Sequence, residues 1–301
     1  MKILVTGGSG FIGSHVVEHY QDKAEIVVLD NLRSGHRRNL DGLNCRFVEG
    51  SIMDKPLIDE VMQGIDYIFH LAALISVPES MQRPDETVEL NVRGLLNVLE
   101  AGRKHGVKKL CFASSAAVYG ENPAQPKLET MTPDPRSPYA ITKLDGEYYC
   151  GLYAREGWLQ TACIRFFNVF GPRQDPRSAY AAAVPIFLHR ALSGEPITVY
   201  GDGGQTRDFI FVKDIVGALA FAAENPHAAG VFNAGYGKSI TILELVREIL
   251  RLTGSQSEIR FEPARAGDIR HSTSDPSKLM AAGWKPRFDV ASGLAATMKS
   301  Q

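Results

Sequence analysis

The sequence predicts an α/β protein: a doubly wound parallel sheet with a smaller mixed α/β C-terminal domain. Short β-branched runs alternate with amphipathic stretches through the first half of the 301 residues. A glycine-rich turn, TGGSGFIG, separates the first strand-like run from the first helix-like one. Beyond Gly171 that alternation gives way to Gly and Pro turn signals.

Taken in order, KILVT starts the sheet and a helix follows from about Phe11 to Tyr20. EIVVLD, CRFVEG, YIFHLAA and KLCFASS read as further buried strands. Asp85 to His105 carries Val88, Leu95, Leu96, Val98 and Leu99 at helical spacing, so a single covering helix is expected there. Another helix should run from Pro138 through Tyr139 to about Trp158, with TACIRFFNVFG as the next strand. Helices are expected at about Val184 to Ser193 and at Thr241 to Thr253. From Phe209, FIFVKDIVGALAFAAE looks like a strand followed by a sheet-covering helix, a return to the large domain. The expected division is therefore interleaved: 1–170 plus about 208–236 in one domain, about 171–207 plus 237–301 in the other.

Composition narrows the function classes. With 44% hydrophobic and 22% charged residues the chain can build a sizeable core, and a formal charge of −1 gives no footprint for nucleic acid. Cys45, Cys111, Cys150 and Cys163 lack metal-ligand or CxxC spacing and read as thiols of a reducing compartment, with no metal expected. No apolar run reaches membrane-spanning length. A strand that begins at Lys2 leaves no space for a targeting peptide, so a cytoplasmic location is expected.

Gly7, Gly10 and Gly13 lie between a strand and a helix, where they allow a tight turn and close approach of backbone to a diphosphate at the helix N-terminus. Asp30 ends the second strand, 17 residues after Gly13, and is placed to accept hydrogen bonds from an adenosine ribose. This is a Rossmann-type dinucleotide site. The carboxylate should repel a 2′-phosphate, so NAD is expected over NADP, although Arg33 and Arg37 argue mildly the other way.

Ser115 ends the KLCFASS strand, and SPYAITK places Tyr139 and Lys143 at i and i+4 on one helix face. A free phenol with pKa ~10 is a poor base near neutral pH. An ammonium about 6 Å away, at an effective dielectric near 20, is worth roughly 3 kcal/mol, or about two pKa units. Tyr139 is thus expected to be acidified by Lys143 and to take a proton from a hydroxyl that Ser115 helps to position.

These residues resemble the extended short-chain dehydrogenase/reductase family and, within it, the UDP-sugar 4-epimerases. The likeness spans TGGSGFIGSH, DNLRSG, HLAA, NVRG, SSAAVYG, YAITK, FNVFGPRQ, GDGGQTRDFIFV and ARAGDIRHSTSD. It implies a bound NAD, oxidation of the sugar at C4, rotation of the 4-ketopyranose, and reduction on the opposite face. It also implies a cofactor site from Gly7, Gly10, Phe11, Ile12, Gly13, Asp30, Asn31, Ser34, Gly35, Ser51, Ile52, Leu71, Ala72, Ala73, Asn91, Ala113, Tyr139, Lys143 and Phe166. For the nucleotide sugar, it implies Asn168, Arg207, Arg265 and Asp268 at the diphosphate and uridine ribose, and Val184, Thr198 and Tyr200 near the uracil. Ser76 and Ser115 would meet the substrate from the large domain.

Related nucleotide-sugar 4,6-dehydratases carry an acidic pair where this chain has Ala116 and Ala117, so dehydration is disfavoured. Ser272 falls where a tyrosine restricts some epimerases to unsubstituted hexoses, which implies room for UDP-GlcNAc and UDP-GalNAc as well as UDP-Glc and UDP-Gal. Ser51 stands where the family usually has an acid, and Ile75 where galactose-type epimerases have a lysine. A homodimer through the helices from Asp85 and Tyr139 is a further implication. Two alternatives remain at this stage: a UDP-glucuronate 4-epimerase or decarboxylase on the same scaffold, and a non-catalytic NAD-binding regulator.

Overall fold

Residues 1–176, 182–264 and 269–299 are described by the computed structural model. The chain alternates β1 (Lys2–Thr6), α1 (Phe11–Tyr20), β2 (Glu25–Asp30), β3 (Arg46–Glu49), α2 (Lys55–Val61) and β4 (Tyr67–His70). Then come α3 (Val77–Gln82), α4 (Pro84–Val88), a π-helical turn (Glu89–Arg93), α5 (Gly94–Lys104), β5 (Lys109–Ser115), α6 (Pro138–Arg155) and β6 (Gln160–Phe166). The remainder runs β7 (Asn168–Phe170), α7 (Ala183–Ser193), β8 (Ile197–Tyr200), β9 (Thr206–Arg207), β10 (Phe209–Phe211), α8 (Val212–Glu224), β11 (Gly230–Ala234), β12 (Ile240–Thr241), α9 (Ile242–Thr253), β13 (Ile259–Glu262), β14 (His271–Ser272), α10 (Ser277–Ala281) and α11 (Val290–Met298).

Seven parallel strands form one sheet in the order β11-β6-β5-β4-β1-β2-β3. Its central strands are buried on both faces, which is why Ile3, Leu4 and Val5 are apolar in succession rather than alternating. Val16, Val17 and Leu219 from α1 and α8 cover one face, and Val61, Leu95, Val98 and Tyr153 from α2, α5 and α6 cover the other. A further apolar core gathers Leu188, Val199, Leu245, Ile249 and Leu294 from the later elements.

Local signals account for the helix that matters most to the site. Ser137 caps α6, accepting a hydrogen bond from Ala140 N at 3.2 Å, and Pro138 occupies the first turn where its missing N–H costs nothing. The thiols Cys111, Cys150 and Cys163 are buried and Cys45 is half-buried.

Two expectations are corrected. The covering helix from Asp85 to His105 is interrupted by the π turn, which carries buried Asn91 inward: Oδ1 accepts from Leu74 N at 2.7 Å and Nδ2 donates to Leu74 O at 3.0 Å. Helical spacing alone cannot reveal such an inserted residue. The strand through Phe166 stops at Phe167, whose ring packs on Val118 and Tyr119; β7 then leaves the large sheet and pairs with β10.

Candidate active site

The strand ends converge on a cleft of about 440 Å³. At its floor Gly7 takes φ +73°, and a Cβ there would lie 2.8 Å from Ala72 N. A Cβ on Gly13 would lie 2.2 Å from Gly7 O, so α1 can pack this closely on the loop only without a side chain. The Gly10 cap of α1 offers no side-chain partner to the first-turn N–H groups. They are left to an anionic group, which fits the diphosphate of a dinucleotide.

Asp30 lies at one end of the cleft. Its Oδ2 accepts from Ser9 N at 2.9 Å and its Oδ1 from Leu32 N at 2.8 Å, an arrangement that fixes the carboxylate at the cleft wall. Asn31, Ser34, Gly35, Ser51 and Ile52 continue this wall, and Leu71, Ala72 and Ala73 line the centre. Beneath them His70 pairs with Thr6 Oγ1 at 2.9 Å, and burial pushes its pKa down to about 3, so it is a neutral part of the scaffold.

The opposite end carries the reactive side chains. The Ser115 hydroxyl lies beside the Tyr139 phenol and accepts from Ala117 N at 3.1 Å. Ser114 lines the cleft and donates to Glu147 Oε1 at 2.5 Å, whereas Ser115 stands just behind the lining residues. Lys143 lies with its ammonium 5.8 Å from the Tyr139 ring centroid and donates to Ala113 O at 2.7 Å. Glu147, two turns beyond Tyr139 on α6, takes Arg165 bidentately at 2.8 and 2.6 Å. Both members of that pair are buried, and together they lock α6 against β5 and β6.

The expected acidification of Tyr139 is corrected. Burial raises the phenol pKa, and the nearby Ser115 hydroxyl offsets this only in part. Burial also lowers the Lys143 pKa to about 8. Lys143 is buried and Tyr139 half-buried at the cleft wall, and desolvation of each charged form outweighs the attraction expected from spacing alone.

Placement of the remaining residues is uneven. Phe11, Ile12, Ala113 and Phe166 line the cleft as expected, but Asn91 does not, because its amide is spent on Leu74 and on Thr142 Oγ1 at 3.0 Å. It positions the wall rather than touching a ligand. Ser76 is buried as the cap of α3, accepting from Glu79 N at 3.1 Å. Asn168 Nδ2 donates to Asp208 O at 3.0 Å and so serves the β7–β10 junction. Val184 is corrected from a contact residue to a core residue, only 2% exposed.

Thr198 and Tyr200 share the half-exposed face of β8, and Arg190 donates to Thr198 Oγ1 at 2.9 Å. Arg207 and Ser272 are partners in parallel register between β9 and β14. None of these substrate candidates lines the large cleft itself. Arg265 and Asp268 lie outside the described residues.

Sequence reasoning missed several cleft residues: Leu90, His36, Asn39, Arg173, Gln174 and Asp175. Asn39 Nδ2 donates to Ser9 O at 2.8 Å, and Arg173 Nη1 to Asn39 O at 3.3 Å, joining the β2 loop to the segment after β7. The GPRQ signal was visible, but which strand end it would reach was not. Ile75, the departure noted from sequence, lines the cleft and remains 63% exposed.

A dinucleotide-binding oxidoreductase-type scaffold with a Ser-Tyr-Lys wall is the class that this fold and site define. The chain belongs to the NAD dependent epimerase/dehydratase family, whose profile matches residues 3–235. It is 38% identical over 307 residues to a UDP-glucose 4-epimerase of Mycolicibacterium smegmatis, covering 99% of this chain and 98% of that one. Among solved structures it resembles a UDP-N-acetylglucosamine 4-epimerase from Methanobrevibacter ruminantium in complex with UDP-N-acetylmuramic acid: 40% identity, TM-score 0.96, coverage 99% and 97%. A UDP-glucose 4-epimerase from Thermotoga maritima with UDP-glucose matches at 40% identity and TM-score 0.95, covering 100% and 98%.

Proposed function

We propose that this protein is an NAD-dependent 4-epimerase of UDP-hexoses, accepting UDP-GlcNAc and UDP-GalNAc as well as UDP-Glc and UDP-Gal. The observation that carries the reading is the pair Tyr139 and Lys143 on the wall of the glycine-loop cleft, beside a Ser115 that is followed by two alanines instead of acids. NAD, when bound, supplies the two-electron oxidant that C4 of the sugar requires and gives the electrons back. The chain's own work is to hold the diphosphate at the N-terminus of α1, the ribose at Asp30, and the sugar hydroxyl at Ser115 and Tyr139. Tyr139 takes the C4 hydroxyl proton and later returns it to the oxygen on the other face. Lys143 stays cationic below its pKa of about 8 and favours the ionised fraction of the phenol that accepts this proton. No acid at Ala116 or Ala117 can expel a hydroxide, so the ketone is reduced again rather than dehydrated.

The residues proposed to hold the nucleotide sugar are Ser76, Asn168, Thr198, Tyr200, Arg207, Arg265, Asp268 and Ser272, with Val184 supporting them from the core. Serine at 272, beside Arg207 in the ladder, supports the wider sugar range. The division into 1–170 plus about 208–236, and about 171–207 plus 237–301, is proposed on the same footing. A homodimer is supported by an exposed apolar face: Val88 on α4 (46%) with Ile141 (46%) and Tyr148 (64%) on α6. Light scattering should give twice the monomer mass for wild type and the monomer mass for Tyr148→Asp. No helix among the described residues is long and apolar enough to cross a membrane, and the proposed location is the cytoplasm.

The deciding experiment incubates purified protein with UDP-Glc, UDP-GlcNAc and UDP-GlcA and resolves the C4 epimers. Formation of UDP-Gal and UDP-GalNAc is expected; conversion of UDP-GlcA alone, or of none, would overturn the reading. Ser272→Tyr should abolish conversion of the acetylated sugar and spare the other.

A further inference from the structure

The loop after β2 brings Arg33 into the cleft wall, yet its guanidinium is already engaged. Nη2 donates to Glu79 Oε1 at 2.9 Å, and Nη1 donates to Glu86. Glu79 lies on α3 and Glu86 on α4. Because β1 sits between β2 and β4 in the sheet, an ion pair from the β2 loop to helices that follow β4 spans the end of β1 and its glycine turn. Arg33 is also fixed from behind, with Arg33 N donating to Asn31 Oδ1 at 3.2 Å. It comes three residues after Asp30, where a phosphate on the adenosine ribose would need a cation. Arg37, the other nearby candidate, sits over the Phe47 ring with its guanidinium carbon 3.9 Å from the centroid.

We infer that Glu79 and Glu86 are specificity-determining residues for the cofactor: they occupy the guanidinium that a 2′-phosphate would use, and so make the cleft select NAD over NADP. This rests on the reading of the cleft as an NAD site. A guanidinium fork can bind phosphate oxygens bidentately, and a free Arg33 would offset the repulsion from Asp30. With its charge offset by two carboxylates that each hold one Nη, it attracts a phosphate less, and turning its fork toward one would loosen both bridges. A phosphate entering there would also face two unpaired acids besides Asp30. Discrimination thus comes from the acids that withhold the cation as well as from the carboxylate that meets the ribose. The partners are partly exposed, with side-chain exposures of 35% for Arg33, 26% for Glu79 and 40% for Glu86, so the effect is of the size that salt can screen.

The test is calorimetric titration of cofactor-stripped protein with NAD and with NADP, for wild type, Glu79→Gln/Glu86→Gln, and that double variant with Arg33→Ala added. The ratio of the NADP to the NAD dissociation constant should fall roughly tenfold in the double variant. It should return to the wild-type value when Arg33 is removed, and the tenfold change should shrink in 0.5 M salt by about half or more. An unchanged ratio in the double variant overturns the inference, as does a fall that survives Arg33→Ala. Wild-type protein that binds neither dinucleotide would instead overturn the cofactor reading, so the two failures are distinct.

Discussion

The wall that carries Tyr139 and the patch that carries Ser272 are built in contrasting ways. Tyr139 and Lys143 stand on an 18-residue helix, pressed against seven-residue strands by the buried Arg165–Glu147 pair. Ser272 stands on a two-residue strand beside another of the same length. Its neighbour Ser274 is held by Asp208, whose carboxylate accepts from Ser274 N at 3.0 Å, Tyr236 N at 2.8 Å, Gly237 N at 3.0 Å and the Ser274 hydroxyl. The first construction derives its rigidity from continuous elements, the second from one side chain gathering loops. The residues proposed to move the proton sit on the former, and the surface proposed to read the sugar sits on the latter.

Four changes would break or sharpen that contrast. Tyr139→Phe should lower the epimerisation rate by about 10²–10⁴-fold while NAD affinity stays within about twofold; the rate is read from epimer formation. Glu147→Gln should cost about 3–5 kcal/mol in urea unfolding, because it strands the Arg165 charge in the core. If it leaves stability intact, the claim that this pair locks α6 fails.

Lys143→Met probes pH. The Lys143 pKa falls from 10.5 in the unfolded chain to about 8 in the folded one, so between those values the unfolded chain binds more protons and stability rises with pH. Relative to Lys143→Met, cofactor-free wild type should therefore gain about 3 kcal/mol between pH 7 and pH 11, as measured by unfolding at both ends. Asp208→Asn should show the smallest effect, about 1–3 kcal/mol, since one amide oxygen replaces two acceptors. Its signature should be a raised KM for UDP-sugar with unchanged NAD affinity. A matching loss of NAD affinity would erase the distinction between the two regions.

The same contrast explains what could be read beforehand. The glycine turn, Asp30 and the Tyr139–Lys143 pair were legible because each depends on neighbours within a turn or a strand, where spacing dictates geometry. The β7 departure, the role of Asn91 and the burial of Val184 depend on residues far along the chain, such as Asp208, Leu74 and the α9 core. Arg33 and Arg37 show the limit best. Their charges were evident, but Glu79, Glu86 and Phe47 decide what those charges do. The phenol of Tyr139 erred for a related reason: a pairwise attraction could be estimated from spacing, whereas the solvent excluded by the surrounding fold could not.

The π turn at Glu89–Arg93 gives the molecule a mechanical phase offset. Deleting one residue there would restore ordinary pitch and swing everything N-terminal to it by roughly 100° about the axis. Asn91 would then lose its hold on Leu74, and Val88 would no longer face the same way as Ile141 and Tyr148. A single extra residue thus couples the wall of the cleft to the outer face of the molecule, so that neither can be re-aimed without the other.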